Sequence, residues 1–149
     1  MELLVVLAIL APVLSVVGTF APFGIQCWNR HEALTEAQQH ARIALDELQN
    51  ELAFARWVEV DSAKQRVTYE KSVGNEWKRY VIYLLEGQLL QRLPEGTSVP
   101  LASNINALLL SPNGATGQVV YVTVVANYDG SEVVLRTAIL PRNLQWLKP

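Results

Sequence analysis

The stretch Ile25 to Arg56 reads IQCWNRHEALTEAQQHARIALDELQNELAFAR, and no glycine or proline interrupts it. Leu34, Ala37, Ala41, Ala44 or Leu45, Leu48, Leu52 and Ala55 recur along it at three- and four-residue steps, with Glu, Gln, Arg and Asp between them. Apolar residues at that spacing fall on one face of an α-helix. The pattern predicts an amphipathic helix over 30–56. Its apolar stripe is rich in alanine, and small side chains let a neighbouring backbone come close. Leu34, Ala37, Ala41, Leu45, Leu48 and Leu52 are therefore expected to lie flat against the inner face of a sheet. Asp46, Glu47 and Glu51 read as a solvated helix face.

Upstream, residues 3–25 read LLVVLAILAPVLSVVGTFAPFGI, and from Leu3 to Asn29 the only ionisable side chain is Cys27. A helix of that length crosses a hydrocarbon core of about 30 Å. Pro12 stands inside it, and Gly18, Pro22 and Gly24 crowd its second half. Proline removes a backbone donor and clashes with the preceding turn, so helical bonding is expected to break between about Leu14 and Gly24 once the chain is packed in an assembly. The plainer reading is that the prolines and glycines only end a membrane helix. A cleaved signal peptide fits less well, because the segment begins Met1-Glu2 without a basic region and runs too long. Trp28 and Arg30 suit either a membrane surface or contacts between packed subunits.

Downstream of Trp57 the period shortens to that of strands. Trp57–Val60, Arg66–Glu70, Trp77–Leu85, Gln88–Leu93, Ala107–Leu110, Val119–Tyr128 and Ser131–Ala138 are short runs rich in aromatic and β-branched residues. Asp129-Gly130 between the last two is the strongest hairpin signal, and Glu86-Gly87 marks another tight turn. Six or seven strands after one long helix predict an α+β fold, with the helix packed on an antiparallel meander. The expected division is an apolar segment at 1–29 and a globular domain at 30–149.

Composition narrows the function. The chain has 149 residues, 12 Lys and Arg against 14 Asp and Glu, and a net charge of −2. All its Lys and Arg lie at or beyond Arg30, without the clustering that phosphate contacts need, so charge supports no nucleic-acid partner. One cysteine, Cys27, excludes an intrachain disulfide, and His31 and His40 stand on different azimuths of one helix, which argues against a shared metal. Glycine-rich phosphate loops, nucleophile elbows and metal motifs are missing. Neither an enzyme activity nor a cofactor is expected.

Glu2 heads the apolar run. A carboxylate there either sits among headgroups or is buried and neutralised by a cation from a neighbouring chain. Residues 2–10, ELLVVLAIL, resemble the N-terminal segment of type IV pilins and the related pseudopilins. Residues 38–56, QQHARIALDELQNELAFAR, are similar to the helix of minor pilins and of the larger W-type and J-type pseudopilins, and 135–143, LRTAILPRN, resemble the last strand of that group. In the family a prepilin peptidase cuts after a glycine and the new N-terminus, usually phenylalanine, is methylated. Only Met1 precedes Glu2 here, so the resemblance implies a true N-terminus upstream of the numbered residues.

The resemblance implies further that Glu2 pairs with the N-terminal amine of a neighbouring subunit, and that the helix melts around Pro12, Gly18, Pro22 and Gly24 inside a filament. Subunits would wait in the cytoplasmic (inner) membrane and then enter a helical extracellular filament, a type IV pilus or related fibre. Partners would be copies of the chain or other pilins, an inner-membrane assembly platform, the prepilin peptidase and a separate assembly ATPase. A minor tip-priming pilin and a type II secretion pseudopilin are variants of that reading. From a different class, a single-pass membrane-anchored binding module that never polymerises would share the same topology.

Overall fold

The structure, a computed structural model, describes residues 2–112 and 119–143, with side chains from Val6 onward apart from Leu7 and Ala8. Helix α1 spans Glu2–Ala53, 52 residues, with Pro12 and Pro22 inside it. At about 1.5 Å per residue it is roughly 78 Å long. The break expected between Leu14 and Gly24 is absent from this single chain. Two prolines ten residues apart each delete only one donor, and the side chains around them are exposed, so the helix meets no neighbour that would force it open. The expectation concerned an assembled form, in which packed neighbours would supply such contacts.

The helix stops at Ala53, three residues short of the expected Arg56. Its end is tied down by the chain leaving the last strand. Arg142 N–H donates to the Ala53 carbonyl at 2.8 Å, and the Asn143 side-chain amide donates to the Phe54 carbonyl at 3.3 Å. These bonds satisfy carbonyls that a helix terminus leaves without partners.

Eight strands follow among the described residues, against the six or seven expected. β1 (Trp57–Asp61), β2 (Arg66–Val73), β3 (Glu76–Leu85), β4 (Gln88–Arg92) and β5 (Ser98–Ala102) form one antiparallel sheet in that order. β6 (Ile105–Pro112), β7 (Val120–Tyr128) and β8 (Ser131–Ile139) form a second. Thus the single meander resolves into two. Strand β5 carries Pro100 and pairs with β4 across an irregularity at Leu89/Leu90, which is tolerable because β5 is an edge strand. Two-residue turns at Glu86-Gly87 and Asp129-Gly130 fall where the sequence places them. Both residues of each turn take positive φ, the primed geometry that suits tight hairpins.

The two sheets are joined at β6. Gln65, itself at φ 48, accepts from Leu108 N–H through Oε1 at 2.9 Å, and Ser62 donates its hydroxyl to the Leu110 carbonyl. Side chains thereby cover an edge that would otherwise be open to another strand. Val120, Val122, Val124 and Ala126 of β7 alternate inward and are buried. They form one core with Val67, Tyr69, Ile82, Leu89, Leu108 and the inner stripe of α1. The helix lies mainly on β7, β8 and β5.

Candidate functional site

Two halves of α1 present opposite surfaces. From Ala33 onward one stripe is sealed. Ala33, Ala37, Ala41, Ala44, Leu48 and Leu52 are all buried, and Leu45 is half-buried at the rim of the core. Leu34 departs from expectation, being 39% exposed. Burial instead follows Ala33, Ala37, Ala41 and Ala44, and Leu34 stands one residue, about 100°, around the helix from that line.

The sealed half is fixed by polar contacts that the sequence reading missed. Glu51 does not sit on a solvated face: Tyr69 donates its hydroxyl to Glu51 Oε2 at 2.6 Å, and Lys71 Nζ donates to both carboxylate oxygens at 2.8 and 2.9 Å. The Gln91 amide donates in turn to the Tyr69 oxygen at 2.6 Å. Burial, with the Glu51 carboxylate adding to it, pushes the Tyr69 phenol well above its ordinary value. The hydroxyl therefore stays protonated and serves as a donor, not a nucleophile. Higher on the helix, His40 takes a hydrogen bond from the Asn104 amide at 2.9 Å. The only hint of Glu51 in the sequence was its place one turn from Leu48 and next to Leu52.

Just past the helix, Arg56 and Arg79 hold Glu70 at 3.0 and 3.2 Å, and the Arg56 N–H donates to the Glu70 carbonyl at 3.0 Å. The Arg56 guanidinium, then that of Arg79, lowers the Glu70 pKa below its ordinary value. Each arginine also covers a tryptophan ring, Arg56 on Trp77 and Arg79 on Trp57.

Among the described residues, the folded domain buries no side chain of the other half of α1. Every side chain from Ile9 to Glu32 is exposed, including Phe20 at 68% and Trp28 at 73%. Exposed large apolar side chains arranged all round a helix are the reverse of a soluble surface. The helix is long and apolar enough to cross a membrane. A hydroxyl carried in this run is satisfied internally, since Thr19 donates to the Ser15 carbonyl at 2.8 Å, one turn back. Gly18 and Gly24 have open space where a Cβ would stand, and neither has a positive φ. Among the described residues nothing requires glycine at either position. Glu2 starts the helix by its backbone, and its side chain lies outside the described residues.

Chemically, the arrangement offers an apolar rod for lipid or for other apolar helices. Among the described residues no three His, Cys, Asp or Glu side chains come together as a metal site. The free Cys27 is exposed, just below the folded domain. Comparison of the chain with protein-family models, curated proteins and solved structures gives no match.

Proposed function

We propose that this chain is a structural subunit of a type IV pilus or a related pilus-like filament, polymerising through the apolar half of α1. The observation that carries the reading is the exposed apolar half-helix, continuous with a half that is locked onto a sheet. Such a rod transfers a force or a position directly from its buried surroundings to the folded domain. Two further features support it. Pro12, Pro22, Gly18 and Gly24 lower helix propensity, Gly by about 1 kcal/mol and Pro by about 3 kcal/mol each, with no return inside the chain. Residues 2–10 also resemble the pilin N-terminus.

In this reading the subunit waits with residues 3–25 across the inner membrane and is then drawn into a bundle of like helices. Transfer from lipid to an apolar bundle gains little net burial free energy. Register must then come from polar pairing and domain contacts. Glu2 would take the N-terminal ammonium of a neighbour as its partner, the cation nearest to hand in an apolar bundle. The prepilin peptidase, the assembly platform and the ATPase that powers extension would be separate proteins.

The test is assembly itself. Cells are sheared, and mass spectrometry of the filament and membrane fractions locates the chain. A filament subunit pellets with the sheared fibres. A chain found only with membranes is instead an anchored module that does not polymerise, and overturns the proposal. Glu2→Ala and Glu2→Gln should leave insertion unchanged or slightly improved, yet abolish filaments, because each unpaired buried ammonium costs on the order of 3–5 kcal/mol. Normal filaments from both variants would remove Glu2 from the mechanism.

A further inference from the structure

A cleft of about 480 Å³ opens where the apolar half of α1 meets the folded domain. That volume falls within the range of about 300–1,000 Å³ common for small-ligand sites. The helix supplies Asn29 and Arg30 to its wall, and the β7–β8 hairpin supplies Asp129, Ser131 and Glu132. Arg30 is the first charged residue after the apolar run, at the level where a spanning helix leaves the hydrocarbon. The opposing carboxylate is held on a rigid support, because Asp129 and Gly130 form a two-residue turn with φ 45 and 76.

Among the described residues, none of the ion pairs includes Arg30, Asp129 or Glu132. One guanidinium and two carboxylates thus line one cleft, each exposed and none within ion-pair distance of another. The complement of that set is a zwitterion with a phosphate at one end and an ammonium at the other. Arg30 and the Asn29 amide can donate to phosphate oxygens, while Asp129 and Glu132 can accept from a primary ammonium. A purely anionic headgroup would face two carboxylates, and a trimethylated ammonium has no N–H to donate.

We propose that this cleft binds phosphoethanolamine, presented as the headgroup of a phosphatidylethanolamine lipid in the membrane that α1 enters. The proposal rests on the reading of residues 3–25 as membrane-spanning. It gives the domain a seated orientation on the bilayer, with the β7–β8 turn at headgroup level beside the emerging helix.

The test uses the full chain in phosphatidylcholine bilayer discs doped equally with phosphatidylethanolamine and phosphatidylglycerol, with retained lipids counted by native mass spectrometry. Phosphatidylethanolamine should be enriched over phosphatidylglycerol by about tenfold, the weight of one hydrogen bond to a charged group. Asp129→Asn combined with Glu132→Gln should erase the preference, and Arg30→Gln should lower retention of every phospholipid. Equal retention in an inserted, folded chain overturns the headgroup site alone. Release of the chain from the bilayer by an alkaline wash overturns the spanning reading and the site with it. Soluble glycerophosphoethanolamine should compete only in large excess, since the bilayer presents its lipid at high effective concentration. Tighter binding of that soluble compound than of the lipid would assign the cleft to a free metabolite and overturn the lipid proposal.

Discussion

The two halves of α1 share one backbone and one secondary structure, yet they follow opposite rules. Between Ala33 and Leu52 the side chains that turn inward are four alanines followed by two leucines, and they are sealed. Between Ile9 and Trp28 large side chains of Val, Leu, Ile, Phe and Trp stand among smaller ones, and all are exposed. Hydrophobicity alone therefore does not decide what this chain buries. Side-chain size follows the fit where a partner is present: alanine where a sheet of the same chain presses close, and no such limit on the half that the folded domain leaves uncovered. The comparison can be broken by moving substitutions from one half to the other.

The largest effect is expected at Leu48, fully buried where α1 meets the core. Leu48→Ala should destabilise the domain by about 2–5 kcal/mol, through lost transfer free energy and the cavity left behind. Chemical denaturation followed by circular dichroism measures it. A loss below about 0.5 kcal/mol would mean that the stripe is not a core face, and the contrast between the halves would collapse.

Next in size is the reverse change. Ala41 is fully buried on the helix face that lies against the sheet. Ala41→Leu adds three heavy atoms to a closed contact and should cost about 1–3 kcal/mol by overpacking. The same change at Ala11, on the exposed half, should leave the domain's melting temperature where it was. Equal responses at the two alanines would show that small size is incidental to the sealed half.

Much of this contrast was legible in the sequence. The period over 30–56 located the packing stripe, and the charge-free run over 3–25 located the exposed half. The strand runs and both tight turns fell close to where they stand. Three features were not legible, each for a physical reason. Strand β5 contains Pro100, which argues against a strand until its edge position is known. Leu34 matches the helical period as well as Ala33 does, and only the seat of the sheet decides between them. Glu51 is an ordinary helix acid until the chain folds back and sets Tyr69 and Lys71 against it, a contact made across 18 and 20 residues. The roles proposed for Glu2 and for the Pro and Gly positions lie in an assembly, and a single chain does not test them.

A third prediction sharpens the account of the sealed half through pH. Glu70 is held below its ordinary value of 4.5, with Arg56 the first cause. A carboxylate whose folded pKa is depressed contributes stability above its unfolded value and loses it as pH falls through the folded value. Stability should therefore decline as pH is lowered below about 4.5. Glu70→Gln should flatten that acid limb and leave the neutral region less stable than wild type. The raised phenol of Tyr69 acts at the other end: its contribution is complete below its ordinary value of 10.0 and is lost as pH climbs above it. Denaturation midpoints across the pH range check both limbs. An unchanged acid limb in Glu70→Gln would take this ion pair out of the junction.

The smallest effect on the fold should come from the largest exposed side chains, and it is the most direct test of the contrast. Phe20 is 68% exposed on the apolar half and is separated from the first buried helix residue, Ala33, by more than three turns. Phe20→Ala removes more apolar surface than Leu48→Ala does, so an account based on hydrophobicity alone would rank it as the worse substitution. The structure ranks it the other way, because no atom of the folded domain loses a contact. The domain's unfolding free energy should change by less than about 0.5 kcal/mol, as for other surface sites. Insertion into a bilayer should weaken, by roughly 0.5 kcal/mol, since Phe is among the residues that favour the centre of a spanning helix. Denaturation and membrane fractionation of the same variant read the two quantities separately. A domain destabilised as much as by Leu48→Ala would mean that residues 9–32 fold back onto the sheets, and one rod with two environments would no longer describe α1.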